Sequence, residues 1–348
     1  MNSRQRVLTT FAHQQPDRVP MWCGASEEFW DKSKRQLALD DEGLRIRFHD
    51  DFRRVFAKLN MPQSQVKPGV TYTTPFGVER HGMGYGQPLS HPLANADLKQ
   101  IHDYFWPDSA WIDPSNIRND ANKYKKQYAI LGGDWSPFWH DAIDLLGMEN
   151  MFIKMYSEPE IVDAVLGRVV DFYAASSQKI FDAAADSIDI FFLGNDLGSQ
   201  TGPLLGDALF RRFLLPHLKR LIDLGHSYRL KVMMHCCGGF APLIPAMIEA
   251  GLDGLHAVQT SCSGMDLKTL KSQFGSKLVF NGCIDSHHIL INGSVDYVKQ
   301  KTKDVLEIMM PNGGFIAGAS HDTILEETPV ENVLAMFDAI LVNGVYEK

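Results

Sequence analysis

The sequence predicts an α/β chain folded as a (β/α)8 TIM barrel, one domain over residues 1–348 with a small N-terminal hairpin excursion. Short apolar runs alternate with helical patterns, and eight of these runs read as strands. Polar groups and thiols collect at the C-terminal ends of the runs, where such a barrel keeps its chemistry, while the opposite ends carry little besides Lys and Arg. No Gly-x-Gly-x-x-Gly follows the first run, and no Pro-, Gly- or Ser-rich linker divides the chain.

In order, residues 1–15 read as a short helix, 18–24 as a first buried strand and 25–37 as an amphipathic segment. Residues 50–57 are the second strand candidate, and 69–86, rich in Gly, Thr and Tyr, form the hairpin excursion. Residues 95–104 are helical in pattern and 107–119 a loop, followed by a strand over 128–134. Ser157-Glu-Pro-Glu supplies an N-cap, a first-turn proline and a Glu at the third helical position, opening a long helix to about Ala184. A strand over 188–196 and a helix over 206–228 come next. They lead to a strand from Lys231, a helix over 244–250, a strand over 254–258 and a helix from Asp266. The pattern closes with a strand over 278–285, a helix over 294–310 and a strand over 314–322. Thr328-Pro-Val-Glu reads as a capping box for the C-terminal helix.

Bulk composition narrows the function. The chain is 45% hydrophobic and 22% charged, ordinary for globular material, and its net charge of −8 disfavours a nucleic-acid-binding surface. No apolar run is long enough to span a membrane and residues 1–15 are polar, so neither a span nor a signal peptide is expected, and a cytoplasmic location is. Cys23, Cys236, Cys237, Cys262 and Cys283 are too sparse for a disulfide scaffold and read as reduced thiols.

The informative stretch is K-V-M-M-H-C-C-G-G, residues 231–239. On a strand, His235 and Cys237 project together while Cys236 points away. An imidazole and a thiolate at the mouth of a sheet form half of a tetrahedral zinc site; the bland alternative is a buried histidine and two inert core cysteines. Two other strand ends offer a third ligand: His321 in A-S-H-D, and Cys283 in N-G-C-I-D as the alternate. Asp134, Asn195 and Asp196 also close strands; each aspartate either caps the next helix or faces the cavity. Trp22, Trp135, Phe138, Trp139 and Tyr85 line a substrate pocket or belong to the core.

The runs D-R-V-P-M-W (17–22), G-N-D-L-G-S-Q (194–200), H-C-C-G (235–238), G-C-I-D (282–285) and G-G-F-I-A-G-A-S-H-D (313–322) resemble the uroporphyrinogen decarboxylase superfamily. The likeness extends from about residue 4 to the C-terminal helix and implies a single (β/α)8 barrel. The decarboxylases carry an arginine-rich R-Q-A-G-R-Y in their first loop, whereas C-G-A-S-E-E (23–28) stands here, which disfavours a polyanionic tetrapyrrole. The chain is more similar to the cobalamin-dependent methyltransferase branch, whose His-x-Cys and later cysteine bind zinc. His321 stands where that later cysteine is expected, and a neutral imidazole in place of a thiolate would leave zinc the stronger Lewis acid.

What the resemblance implies is a zinc methyltransferase using His235, Cys237 and His321, with a corrinoid (cobalamin) carried by a separate protein because the chain shows no cobalamin module. Asp196 would orient the substrate or protonate the leaving group, assisted by Asn195, and Trp22, Asp134, Trp135 and Tyr85 would bind the substrate. A methoxylated aromatic undergoing O-demethylation is the preferred substrate. Corrinoid-to-thiol methyl transfer, a metal-free decarboxylase-like lyase using His321 and Asp196, and a non-catalytic metal- or corrinoid-binding accessory protein are the alternatives. Direction of transfer is open, as is assembly, for which a homodimer is one option.

Overall fold

The computed structural model describes residues 1–61, 70–82, 86–321 and 323–347, so Tyr85 lies outside the described residues. Its centre is a parallel sheet of seven strands: β1 (Phe52–Arg54), β2 (Ala129–Gly132), β3 (Ile190–Gly194), β4 (Lys231–His235), β5 (Gly254–Val258), β6 (Val279–Ile284) and β7 (Phe315–Ala319). They neighbour one another in chain order. The helices Pro159–Ala184, Leu215–Ser227, Leu267–Phe274 and Val295–Met309 are among the crossovers between them. Parallel neighbours joined by helices need apolar side chains on both faces, and β2 to β7 are buried almost throughout.

The sheet is curled. Phe52 of β1 and Ile316 of β7, at its two edges, share one inner cluster with Leu131, Phe192, Met233 and Val279. Val7 and Phe11 of the helix Ser3–Phe11 enter the same cluster and plug it from below. The alternate residues of the strands face a second core under the helices.

The expected first strand over 18–24 is reduced to isolated bridges, Arg18 to Val345 antiparallel and Met21 to Ala317 parallel, instead of a ladder strand. Pro20 is the reason: it accepts Ala317 N–H at 2.8 Å but has no N–H of its own to donate. Trp22 N–H reaches Ala317 O at 2.9 Å, and Met21 O accepts from Asp51 N–H at 2.9 Å, so this segment touches both sheet edges. The excursion is a small antiparallel sheet of Tyr72–Thr73, Glu79–His81 and Gln87–Pro88.

Both capping boxes expected from the sequence are replaced. Ser157 ends the preceding helix Met148–Ser157, its hydroxyl donating to Ile153 O, so Pro159–Ala184 starts without a side-chain cap. The C-terminal helix Val330–Asn343 likewise begins after Pro329 with no side-chain cap. The lower rim is also richer in acid than expected. Asp51, Asp189 and Asp253 each precede a strand and accept a backbone N–H from the neighbouring segment, from Met21 (2.8 Å), Ile130 (3.0 Å) and Val232 (2.9 Å). Among the described residues no helix is long and apolar enough to cross a membrane.

Candidate metal centre

Strand alternation sets up the site. Met233 of β4 lies in the inner cluster, so His235, two residues on, faces inward at the upper mouth, level with Gly194 of β3 and His256 of β5. Cys236 turns into the helix-side core, where burial pushes its thiol well up. Gly238, at φ +88°, then turns the chain so that Cys237 Sγ comes to 3.2 Å from His235 Nε2. Asp196, two residues beyond β3, completes a triangle: its Oδ1 lies 3.3 Å from His235 Nε2 and accepts the Cys237 N–H at 2.8 Å. The donor atoms of Asp196, His235 and Cys237 all lie within 4.8 Å of one another.

His140, in the first turn of the helix Phe138–Leu146, sets its Nε2 3.4 Å from Asp196 Oδ2. Burial favours the neutral form of Asp196, but hydrogen bonds and charge from His140 and His235 outweigh it and hold the carboxyl well below the usual range. On its other side, His235 Nδ1 is 3.2 Å from Nδ1 of His256. His256 is fully buried, and burial pushes it far toward the neutral form. A neutral His256 can accept the Nδ1–H of His235, so that Nε2, once it gives up its proton, is the ligand atom facing Asp196 and Cys237. Trp135 stacks on His235 (5.6 Å, 29°), and Trp22 packs against His256 at 4.7 Å.

The residue that converges with His235 and Cys237 is Asp196, not the expected His321. His321 Nδ1 is turned to Thr323 O at 3.0 Å, and His321 is not in the converging group. Cys283 is fully buried in the helix-side core: positive φ at Gly282 (+109°) and Cys283 (+78°) breaks the alternation that would have turned it inward. Burial raises its thiol far above the ordinary value.

Asn195 serves its neighbours, its Oδ1 accepting Trp139 N–H at 2.9 Å and its Nδ2 donating to Ser136 O at 3.1 Å. It thus fixes the loop that delivers His140. The Asp134 backbone N–H donates to Ser177 Oγ of the long helix at 3.0 Å, and burial lifts its carboxyl to about 6. Phe138 and Trp139 are core side chains. Trp22 instead borders a cavity of about 270 Å³ beside the cluster. Sequence reasoning passed over His140, His256 and Arg54; the usable signal was their place at or near the upper ends of strands or in the first turn that follows one.

An imidazole nitrogen, a sulfur and a carboxylate oxygen brought together at a partly open mouth form a donor set that fits zinc. Comparison with known proteins adds context. The sequence model of the family Uroporphyrinogen decarboxylase (URO-D) matches residues 117–341. A methylcobamide:CoM methyltransferase MtbA of Methanosarcina acetivorans is 24% identical over 188 residues, covering 54% of this chain and 52% of that protein. The chain thus spans about half the length of that relative. A uroporphyrinogen decarboxylase of Histophilus somni is 22% identical over 270 residues, covering 74% of this chain and 72% of that one. Among solved structures, a methyltransferase from Methanosarcina mazei superposes with a TM-score of 0.65 at 18% identity, covering 98% of this chain and 99% of the other, a likeness of fold.

Proposed function

The chain belongs to the uroporphyrinogen decarboxylase family, and within it we propose a zinc-dependent methyltransferase that moves a methyl group between a small methylated substrate and a corrinoid carried by a separate protein. The observation that carries this reading is the convergence of Asp196, His235 and Cys237. Zinc held by these three would act as a Lewis acid toward the heteroatom of the substrate. Asp196 takes the place assigned from sequence to His321, supplying a second anionic donor beside the Cys237 thiolate. His140, its Nε2 3.4 Å from the outer oxygen of Asp196, is placed to serve as general acid to a departing oxygen or nitrogen.

Trp22 and Trp135 form the apolar wall that keeps water from the inner side of His235 and His256. These rings favour a methoxylated aromatic as substrate. The first loop, Cys23 to Glu28, offers no arginine to a polycarboxylate, and the neighbouring cavity of about 270 Å³ suits a single ring better than a tetrapyrrole. The same hydrogen bonds that join residues 19–22 to Ala317 and Asp51 support reading that segment as the eighth stave of a closed barrel.

Metal analysis and a methyl-transfer assay test the proposal. Protein produced with ample zinc is expected to hold about one zinc per chain. It should also convert cob(I)alamin to methylcobalamin in the presence of a methoxylated aromatic, seen as a change in the visible spectrum. Cys237→Ser should lose most of both. Full zinc occupancy in Cys237→Ser and Asp196→Asn alike would overturn the ligand set; zinc bound without methyl transfer to any corrinoid would favour an accessory role.

A further inference from the structure

The cavity beside the metal centre has a charged residue at its mouth that the proposed chemistry does not use. Phe52 of β1 points into the inner cluster, so Arg54, two residues on, faces the same way at the upper rim, while Arg53 turns outward to pair with Glu42. The guanidinium of Arg54 lies over three rings, Phe56 at 4.7 Å, Trp135 at 4.9 Å and Phe192 at 5.0 Å. Ring contacts of this kind occupy the flat faces of a guanidinium and limit its rotamers, while its N–H donors point outward in the plane. Trp135, one of those rings, also stacks on His235. The cation and the metal ligand therefore share one indole as a common wall.

Two carboxylates also border the cavity. Asp50 is fully enclosed and paired with Arg45 at 2.9 Å, and Glu27 stands exposed at the rim. Between them the walls are aromatic: Trp22, Trp30, Phe52 and Phe56. A space of single-ring size, lined by rings, with an in-plane cationic fork at one end and a metal site one indole away, selects for a flat molecule with one anionic end.

We propose that this cavity binds a small aromatic carboxylate, its anion received by Arg54 and its ring held against Trp22, Phe52 and Phe56. The inference deepens the methyl-transfer reading and rests on it for the fate of the molecule: the carboxylate anchors at Arg54 and the methylated heteroatom lies toward Asp196, His235 and Cys237. The binding itself needs no zinc and no corrinoid.

The test uses that independence. Binding of para-methoxybenzoate and of its neutral counterpart para-methoxybenzamide is measured on the full chain by tryptophan fluorescence and calorimetry, with zinc present and after chelation. The carboxylate is expected to bind at least about tenfold more tightly than the amide, in both metal states, because a charge-assisted pair with Arg is lost in the amide. Arg54→Gln should remove that preference while leaving amide affinity within about twofold, since the ring contacts remain. Equal binding of acid and amide by the wild-type protein would overturn the proposal, as would a preference for the acid that survives Arg54→Gln. The wild-type comparison stands even if the variant fails to fold. Selective binding without any methyl transfer would instead leave the cavity assigned and sink the proposed reaction.

Discussion

Two carboxylates at neighbouring strand ends behave in opposite ways, and the reason is their immediate company. Asp196 is buried but faces His140 and His235, so it remains ionised. Asp134 is buried, and backbone hydrogen bonds from Ser136 and Trp135 and the charge of Arg54 only partly offset that burial, so its pKa rises from 3.8 to about 6. A raised carboxyl means that the folded state holds its proton more firmly than the unfolded chain does. Its contribution to stability is therefore complete below the unfolded value and disappears as pH rises through the folded one. Asp134→Asn keeps the shape and cannot ionise. The variant should match the wild type in urea unfolding near pH 4 and exceed it by about 1–2 kcal/mol at pH 8. A stability difference that does not change between those pH values would show that the burial of Asp134 has no energetic consequence.

At the scale of the element, the site depends on two loops that cross where only glycine fits. A Cβ on Gly238 would lie 2.3 Å from the carbonyl carbon of Gly198, and one on Gly198 would lie 2.7 Å from that of Gly238. Gly239 N–H donates to Ser199 O at 2.8 Å and Cys237 N–H to Asp196, so the loops after β3 and β4 form one backbone unit carrying two of the donors. Gly238→Ala must push these loops apart and adds a side chain at positive φ. It should lower zinc affinity by about 10–100-fold, as loss of an outer support does, with little change in far-UV circular dichroism; unchanged affinity in a competition assay with a chromogenic chelator would refute this. The contrast with the sequence reading has a physical basis. Strands β2 to β7 fall inside the apolar runs that announced them, because buried parallel strands leave a local hydrophobic record. His235 and Cys237 share that record. Asp196 as a donor, His140 as its partner and the outward turn of Cys283 depend on which loops meet and on backbone torsion, neither of which a spacing pattern carries. The failed caps at Ser157 and Thr328 follow the same rule: the local signal is present, but the chain around each is already committed elsewhere.

Across the whole molecule, the upper mouth and the lower rim divide the labour between chemistry and cohesion. The cluster, the aromatic cavity and the crossing loops lie above the strands; below them, acids at strand entries tie neighbouring segments together. Asp189 is held by Arg4 at 2.8 Å and Asp253 by Lys231 at 2.7 Å. Asp51 has the most to connect. It is fully buried and receives Arg6 of the plugging helix at 2.9 Å, Arg18 at 2.9 Å and the Met21 N–H at 2.8 Å. One side chain thereby joins the plugging helix, the irregular segment over 19–22 and the start of β1. Removing it in Asp51→Ala leaves Arg6 buried with one fewer partner and Met21 N–H without its acceptor, a loss of the kind that costs about 3–5 kcal/mol. Chemical denaturation should show that drop. Because the residue stands at the opposite end from Asp196, His235 and Cys237, zinc bound per folded chain should stay at the wild-type value. A variant of wild-type stability would mean that the two arginines find other partners, and a folded variant that no longer holds zinc would mean that rim and mouth are not separable.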